Sequence, residues 1–216
     1  MATPAGYIEI DRCFSALHGT VDRDEAAASS YLRSGFSGSA VGWDELLKKR
    51  LVVILGEPGS GKSWEFRHRA ATLHKAGKPA FLIELERLVS GDFATGFSHE
   101  DGSRFQKWLR SKETAFFFLD SVDESKIQRA ADFYAALDKV LAAIGSARDR
   151  LQIFISSRIS EWQPVTDRQA VLSRFGAGAA DAPEEDDLLV VEIEPLDRER
   201  VRTFAQNRGI ANPEPF

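Results

Sequence analysis

The chain has 216 residues, of which 43% are hydrophobic and 28% charged, and its formal net charge is −5. This length suits one α/β domain with an extension, or one and a half domains, and the composition argues against a disordered or fibrous chain. The acidic balance argues against direct nucleic-acid binding, because surfaces that bind nucleic acid need an excess of positive charge.

The cysteine count and the apolar runs indicate the compartment. A single cysteine, Cys13, excludes an internal disulfide and a multi-cysteine metal cluster. The first residues contain neither the basic start nor the apolar core of a secretion signal. The longest apolar runs, 51–55 and 115–119, are too short to cross a bilayer. We therefore expect a cytoplasmic protein, or a cytoplasmic part of one, without membrane contact.

Along the chain, residues 1–42 carry mixed helix and loop signals, and we interpret them as an N-terminal extension. A short helix is predicted over 43–49. Strands and helices then alternate, with apolar strands at 51–55, 81–83, 115–119, 151–155 and 188–193 and helices at 61–76, 103–111, 127–144 and 197–207. Strands that are apolar throughout are covered on both faces. The pattern therefore predicts an α/β three-layer sandwich, with helices on both faces of a parallel five-stranded sheet.

A glycine-rich segment joins the first of these strands to its helix with the spacing G-x-x-x-x-G-K-S, from Gly56 to Ser63. Glycines let consecutive backbone N–H groups point into one concavity, at the N-terminus of a helix whose dipole attracts anions. This context predicts a loop that binds a nucleoside triphosphate, with Lys62 on the β- and γ-phosphates and the Ser63 hydroxyl on Mg²⁺. A glycine-rich turn without a ligand is the alternative. The candidate cofactor-binding residues are Gly56, Glu57, Pro58, Gly59, Ser60, Gly61, Lys62, Ser63 and Trp64.

A carboxylate follows the strand at 115–119. Asp120 ends that apolar run, and at the carboxyl edge of a parallel sheet it would lie beside the phosphate loop and hold the Mg²⁺ shell. The alternative role for Asp120 is a helix N-cap. Asp123 and Glu124 follow closely enough to orient an attacking water or accept its proton, and of the two we favour Glu124.

An arginine, Arg158, ends the strand at 151–155 after the hydroxyl pair Ser156 and Ser157. Its planar guanidinium matches phosphate oxygens, so that at this edge it is suited to sense a γ-phosphate. A surface salt bridge is the alternative. The candidate catalytic residues are thus Glu124, Asp123 and Arg158, and the candidate metal ligands are Ser63 and Asp120.

Three segments taken together, 56–63, 119–124 and 156–158, resemble the NACHT group of STAND P-loop ATPases. In that group a small residue, a hydrophobic residue and further acids follow the Mg²⁺-binding aspartate, as in the sequence after Asp120. The segment 195–197 also resembles the family's entry into a helical subdomain. The resemblance covers about residues 43–207.

This resemblance implies a P-loop NTPase fold of the ASCE/RecA-like type, with ATP and Mg²⁺ as cofactors. It implies a switch that hydrolyses ATP slowly and controls self-association within a larger signalling protein; many bacterial members act in defence against phage. The corresponding domain division is an extension at 1–42, an NTPase domain at 43–195, and the start of a helical subdomain, truncated here, at 196–216.

Two other functions fit the same motifs. One is an efficient P-loop enzyme, such as a small-molecule kinase or a motor ATPase, although a kinase would need a lid with phosphate-gripping arginines and the sequence has no evident lid pattern. The other is an interaction module that holds nucleotide without turnover. The sequence contains no guanine-reading Asn-Lys-x-Asp motif, which favours ATP over GTP.

The phosphate-loop prediction is tested by Lys62→Ala. Removing the loop cation that is predicted to contact the β- and γ-phosphates is expected to abolish measurable ATP binding, because a charge-assisted contact to a polyanion is lost. Titration calorimetry with MgATP measures the effect. A variant that binds ATP as tightly as the parent would contradict the prediction.

Overall fold

The structure is a computed structural model that describes residues 7–17, 40–97, 99–121, 130–176 and 188–210, with the backbone alone for 99 and 100. Seven α-helices lie in this described part. They are α1 (Trp43–Leu46), α2 (Lys62–Lys75), α3 (Leu85–Ser90), α4 (His99–Leu109), α5 (Ala130–Ile144), α6 (Thr166–Phe175) and α7 (Arg198–Asn207). Two 3₁₀ helices, Phe93–Gly96 and Gly145–Arg150, complete the helical segments described. None of the helices in these ranges has the length and apolar character needed to span a bilayer.

One sheet runs through the centre of the fold. Within the described ranges it has six strands, in the order β1-β6-β2-β5-β4-β3. They are β1 (Phe14–Ala16), β2 (Leu51–Leu55), β3 (Ala80–Glu84), β4 (Ala115–Asp120), β5 (Leu151–Ser157) and β6 (Leu188–Ile193). Strands β2 to β6 are parallel, while β1 pairs with β6 in the antiparallel sense. The fold is therefore α/β, with a mostly parallel sheet.

All five predicted strands are present, so the predicted fold class is confirmed, but the sheet has six strands rather than five. The additional strand, β1, comes from the segment interpreted as an extension. Its three residues, Phe14 to Ala16, are too few to show an alternating pattern, and their pairing with β6 is a long-range contact. Two short helices, α3 and α6, were also not predicted.

The sheet separates two apolar cores, because successive residues of a strand point to opposite faces. Val53 and Leu55 of β2 belong to the larger core, which α3 to α6 cover. Val52 and Ile54 belong to the other core, which Trp43 of α1 and side chains of α2 cover. Every residue of β2 is buried. The three-layer arrangement therefore explains why the strand is apolar throughout.

The parallel register brings three strand ends to one edge of the sheet. Leu55 at the end of β2 lies opposite Ser157 of β5, and Leu119 of β4 lies opposite Ile155. The segments that follow β2, β4 and β5 therefore emerge side by side. This is the edge at which open parallel sheets bind ligands.

Aromatic rings fill the core beneath α2. Phe118 of β4 stacks on Phe154 of β5 with ring centroids 5.0 Å apart, and Phe66 of α2 meets Phe118 edge-on at 5.3 Å. All three side chains are fully buried. This packing fixes the first turns of α2 against the strands β4 and β5.

Phe118→Ala is expected to destabilise the protein by about 3–5 kcal/mol, because it leaves a cavity between two rings that cannot close. Chemical denaturation measures the loss. Phe116→Ala, two residues earlier on the same strand and only partly buried, is the control and should cost less than half as much. Equal losses at the two positions would contradict this account of the core.

Candidate nucleotide-binding site

The segment from Gly56 to Ser63 forms a tight loop between β2 and α2. Gly59 and Gly61 have φ angles of +79° and +96°, a left-handed conformation that only glycine adopts at low cost. Gly56 is constrained by space instead, because an added Cβ would lie 2.4 Å from Cγ2 of Ile193. The Gly56 N–H donates to the Ser157 carbonyl at 3.2 Å, which ties the loop to the end of β5. The local structure therefore explains why each of these three positions is a glycine.

The ammonium group of Lys62 lies inside this loop. It donates to the carbonyl oxygens of Gly56 at 2.6 Å and Glu57 at 3.1 Å, and the residue is buried. Burial lowers the pKa of Lys62, and the nearby charge of Arg158 lowers it further, whereas Asp120 acts in the opposite direction. Lys62 is thus a buried cation whose donors are directed at carbonyl oxygens, which anionic oxygens would replace favourably.

The carboxylate of Asp120 is buried at the end of β4. Its Oδ1 accepts a hydrogen bond from the Ser156 hydroxyl at 2.7 Å, and its Oδ2 has no partner among the described residues. Ser156 is in turn fixed by Ser121, whose N–H donates to Ser156 Oγ at 3.0 Å and whose hydroxyl donates to the Ser156 carbonyl at 2.8 Å. The network orients one carboxylate oxygen and leaves the other available.

Burial raises the pKa of Asp120, because the charged form loses its solvation. The nearby hydroxyls of Ser156 and Ser63 lower the same pKa, as does the charge of Arg67. The Ser63 hydroxyl is therefore close to the Asp120 carboxylate. A carboxylate and a hydroxyl oxygen are hard ligands of the kind that Mg²⁺ prefers.

The residues present fit a magnesium ion held jointly with nucleotide phosphates. Mg²⁺ in such sites takes one or two protein oxygens and completes its shell with phosphates and water. Asp120 Oδ2 is a buried polar atom without a partner in the described residues, as a metal ligand or its water would require. Within the same residues no group of three His, Cys, Asp or Glu side chains forms a protein-only metal site.

Arg158 follows β5 at the same edge of the sheet. Its guanidinium lies 3.4 Å from the Glu161 carboxylate, and about a third of the side chain is exposed. Because its charge lowers the pKa of Lys62, the two cations are near each other. Arg158 therefore forms the salt bridge that was the alternative to a phosphate contact. Its position beside Lys62 also suits a contact with the γ-phosphate.

The two tryptophans near the loop differ in exposure. Trp64, in the first turn of α2, is 42% exposed, so its ring is accessible beside the phosphate loop. Trp43 is 3% exposed, and its indole N–H donates to Glu65 at 2.8 Å. The enclosing rings of Phe14 and Phe66 make Trp43 a core residue.

The structure therefore brings together the loop residues, Asp120 and Arg158 at one edge of the sheet. Asp123 and Glu124 lie in 122–129, outside the described residues, and their role stays a prediction.

Sequence reasoning missed two contributors to the site. Ser156 was assigned no role of its own, although its hydroxyl fixes the Asp120 carboxylate. Arg12 was missed entirely, although its guanidinium donates to the Ser60 carbonyl of the loop from 48 residues away in the sequence. A polar residue at a strand end was a signal for Ser156. No local pattern marks Arg12.

Comparison with solved structures finds distant likenesses. One is a crystal structure of a DNA replication initiation factor, with 16% identity and a TM-score of 0.43 over 87% of this chain and 51% of that chain. Another is the S. cerevisiae Hsp104–ADP complex, with 17% identity and a TM-score of 0.41 over 83% of this chain and 26% of that chain. The chain thus spans about half of the first protein and a quarter of the second. The sequence matches no protein-family model and no curated protein.

A mostly parallel sheet with helices on both faces, and a glycine-rich loop that joins β2 to α2 around a buried lysine, define a P-loop NTPase-like fold.

Asp120→Asn separates the metal role of this carboxylate from its effect on stability. The pKa of Asp120 is higher in the folded state than in the unfolded state. At pH values just above the ordinary pKa of an aspartate, the folded protein therefore binds more protons than the unfolded chain, and the free energy of unfolding falls as the pH rises. The neutral amide removes this cost. At pH 7 without nucleotide the variant should melt higher, by about 2–4 °C for each kcal/mol gained, yet lose the Mg²⁺-dependent part of ATP binding.

Calorimetric melting at several pH values and ATP titrations with and without Mg²⁺ measure the two effects. Ser156→Ala is the control, since it leaves the charge but removes the hydrogen bond and should therefore lower the melting temperature. A parental response to Mg²⁺ in Asp120→Asn would contradict the assignment.

Proposed function

We propose that this chain binds ATP with Mg²⁺ and acts as a slowly hydrolysing nucleotide switch of the NACHT/STAND type, within a larger signalling or defence protein. The observation that carries the proposal is the buried Asp120 carboxylate, with Oδ2 unpartnered among the described residues, at the same sheet edge as a glycine loop that encloses Lys62. This pairing provides oxygen ligands for a cation next to a cation for phosphates.

The proposed binding step uses groups that are already oriented. The Lys62 ammonium exchanges the carbonyls of Gly56 and Glu57 for phosphate oxygens, and the loop N–H groups contribute further donors. Ser63 and Asp120 would hold the cation. Mg²⁺, when bound, neutralises charge on the β- and γ-phosphates. Trp64, exposed in the first turn of α2, offers a flat surface to the nucleotide base.

The proposed hydrolytic step depends on three residues. Arg158 contacts the γ-phosphate and stabilises the charge that develops on it. Glu124 orients the attacking water and accepts its proton, and Asp123 is the second candidate for that role. The resemblance to the NACHT group, carried by the acids after Asp120 and by the Ser156-Ser157-Arg158 segment, supports slow turnover that serves control of assembly.

The wider setting belongs to the same proposal. We assign residues 1–42 to an extension, 43–195 to the NTPase domain and 196–216 to the start of a helical subdomain. Helix α7 is the first helix of that subdomain, and it begins with an N-cap in which Asp197 accepts from the Arg200 N–H at 2.8 Å. Self-association and further domains would convert the nucleotide state into a signal.

Turnover discriminates among the candidate functions. A nucleotide switch is expected to hydrolyse ATP at roughly 10⁻² s⁻¹ or slower. Glu124→Gln should lower that rate by at least about 100-fold, because a positioned general base is lost. Its affinity for ATP should stay within about twofold of the parent, since no phosphate contact is removed. Single-turnover hydrolysis and calorimetry measure the two quantities.

Asp123→Asn is the matched control and should slow hydrolysis less than Glu124→Gln. A parental turnover above about 10 s⁻¹ would favour an efficient enzyme. Tight binding without any turnover would favour an interaction module. Parental ATP affinity in Lys62→Ala would remove the basis of all three.

A further inference from the structure

A buried arginine from the N-terminal segment contacts the phosphate loop from outside. Arg12 is 8% exposed, and its Nη2 group donates to the carbonyl oxygen of Ser60. Its Nη1 group donates to the Glu194 carbonyl, after β6, at 3.3 Å. One guanidinium therefore joins the loop to the last strand of the parallel sheet.

The contact with Ser60 fixes the orientation of one peptide plane in the loop. The Ser60–Gly61 peptide is trans, as are all those described, so its C=O and N–H groups point in opposite directions. With the Ser60 carbonyl turned towards Arg12, the Gly61 N–H is directed away from it. That N–H has no acceptor among the described residues, so an anion would satisfy it.

Gly61 is also the residue that allows this approach. A Cβ at position 61 would lie 3.0 Å from Nη2 of Arg12, closer than such contacts normally come. The positive φ of Gly61 directs the chain into α2. Glycine here thus serves two purposes, the backbone conformation and the space for a guanidinium.

Arg12 is itself held in place by its neighbours. The Cys13 carbonyl accepts from the Glu194 N–H at 3.0 Å. Arg200 of α7 donates to the Asp11 carbonyl at 2.6 Å. Residues on both sides of Arg12 are therefore anchored, which gives its side chain a fixed base.

We propose that Arg12 is a positioning residue for nucleotide binding, which holds the Ser60 carbonyl outward so that the Gly61 N–H faces the phosphates. Lys62 donates to the carbonyls of Gly56 and Glu57, and Arg12 donates to the carbonyl of Ser60. Two cations therefore order the loop backbone before nucleotide binds. The inference rests on the proposed nucleotide binding and adds to it the residue that shapes the loop.

The test compares Arg12→Ala, Arg12→Lys and Ser15→Ala. Arg12→Ala should weaken MgADP and MgATP binding on the order of tenfold to a hundredfold, because a charge-assisted hydrogen bond that orients a donor is lost. Arg12→Lys keeps a charged donor and should recover part of the affinity, and it also serves if Arg12→Ala folds poorly. Ser15→Ala removes the hydrogen bond from the Ser15 hydroxyl to the Glu194 carboxylate but leaves the contact between Arg12 and Ser60 in place, and it should bind nucleotide within about twofold of the parent.

Hydrogen–deuterium exchange of the nucleotide-free protein gives a second readout that does not depend on binding. Exchange across residues 56–63 should accelerate in Arg12→Ala and stay at the parental rate in Ser15→Ala. The two variants are compared at the same interval below their melting temperatures, so that a difference in global stability does not contribute. If both variants weaken nucleotide binding equally, or if Arg12→Ala changes neither exchange nor affinity, the positioning role is overturned.

The two proposals fail in different ways. If the parent binds no nucleotide, the proposed function fails, and exchange in the loop still decides whether Arg12 orders it. If the parent binds nucleotide and Lys62→Ala does not, while Arg12→Ala binds like the parent, the function stands and the positioning role is wrong.

Discussion

The carboxylate of Asp120 is the group on which the arrangement of this site depends. It is buried, with one oxygen bonded to Ser156 and the other without a partner in the described part of the chain. Desolvating a charge in this way opposes folding, and the protein tolerates it because the strands and their aromatic core fix the surrounding atoms. Ser156 lies on β5 between β4 and β2, so the same strand that orients the carboxylate also anchors Gly56 through Ser157.

The phosphate loop is stabilised from two sides. Lys62 bonds the carbonyls where the loop begins, and Arg12 bonds the carbonyl that precedes Gly61. Arg12 reaches the loop because β1 adds to the sheet next to β6, and Arg200 of α7 bonds the backbone beside it. The loop is therefore connected through hydrogen bonds to the N-terminal segment and to the helix after the sheet, the two parts proposed to lie outside the NTPase domain.

Several cations lie together at this edge of the sheet, although the chain as a whole is acidic. The net charge is −5, yet Lys62, Arg158 and Arg12 lie at or beside the loop and Arg67 is close enough to lower the pKa of Asp120. Burial strengthens the interactions of such cations because it reduces screening by water. A triphosphate would thus meet a group of cations, beside the carboxylates of Asp120, Glu57 and Glu161, on a protein that is acidic overall. The net charge of a protein influences its solubility and its non-specific binding, whereas the electrostatic properties of this site depend on a few nearby side chains.

The sequence by itself determined the five apolar strands, the glycine loop and the carboxylate at the end of β4, because each is encoded by contiguous residues. The strands are apolar because both of their faces are buried, and the loop contains glycines because glycine adopts positive φ at low cost. Asp120 stands out because it ends an apolar run. The tertiary structure alone decided the rest. Strand β1, the Ser156–Asp120 hydrogen bond and the approach of Arg12 to Ser60 join residues 35 or more apart in the chain. Such contacts depend on strand order and register. These are set by the packing of the whole domain and cannot be predicted from a local sequence pattern.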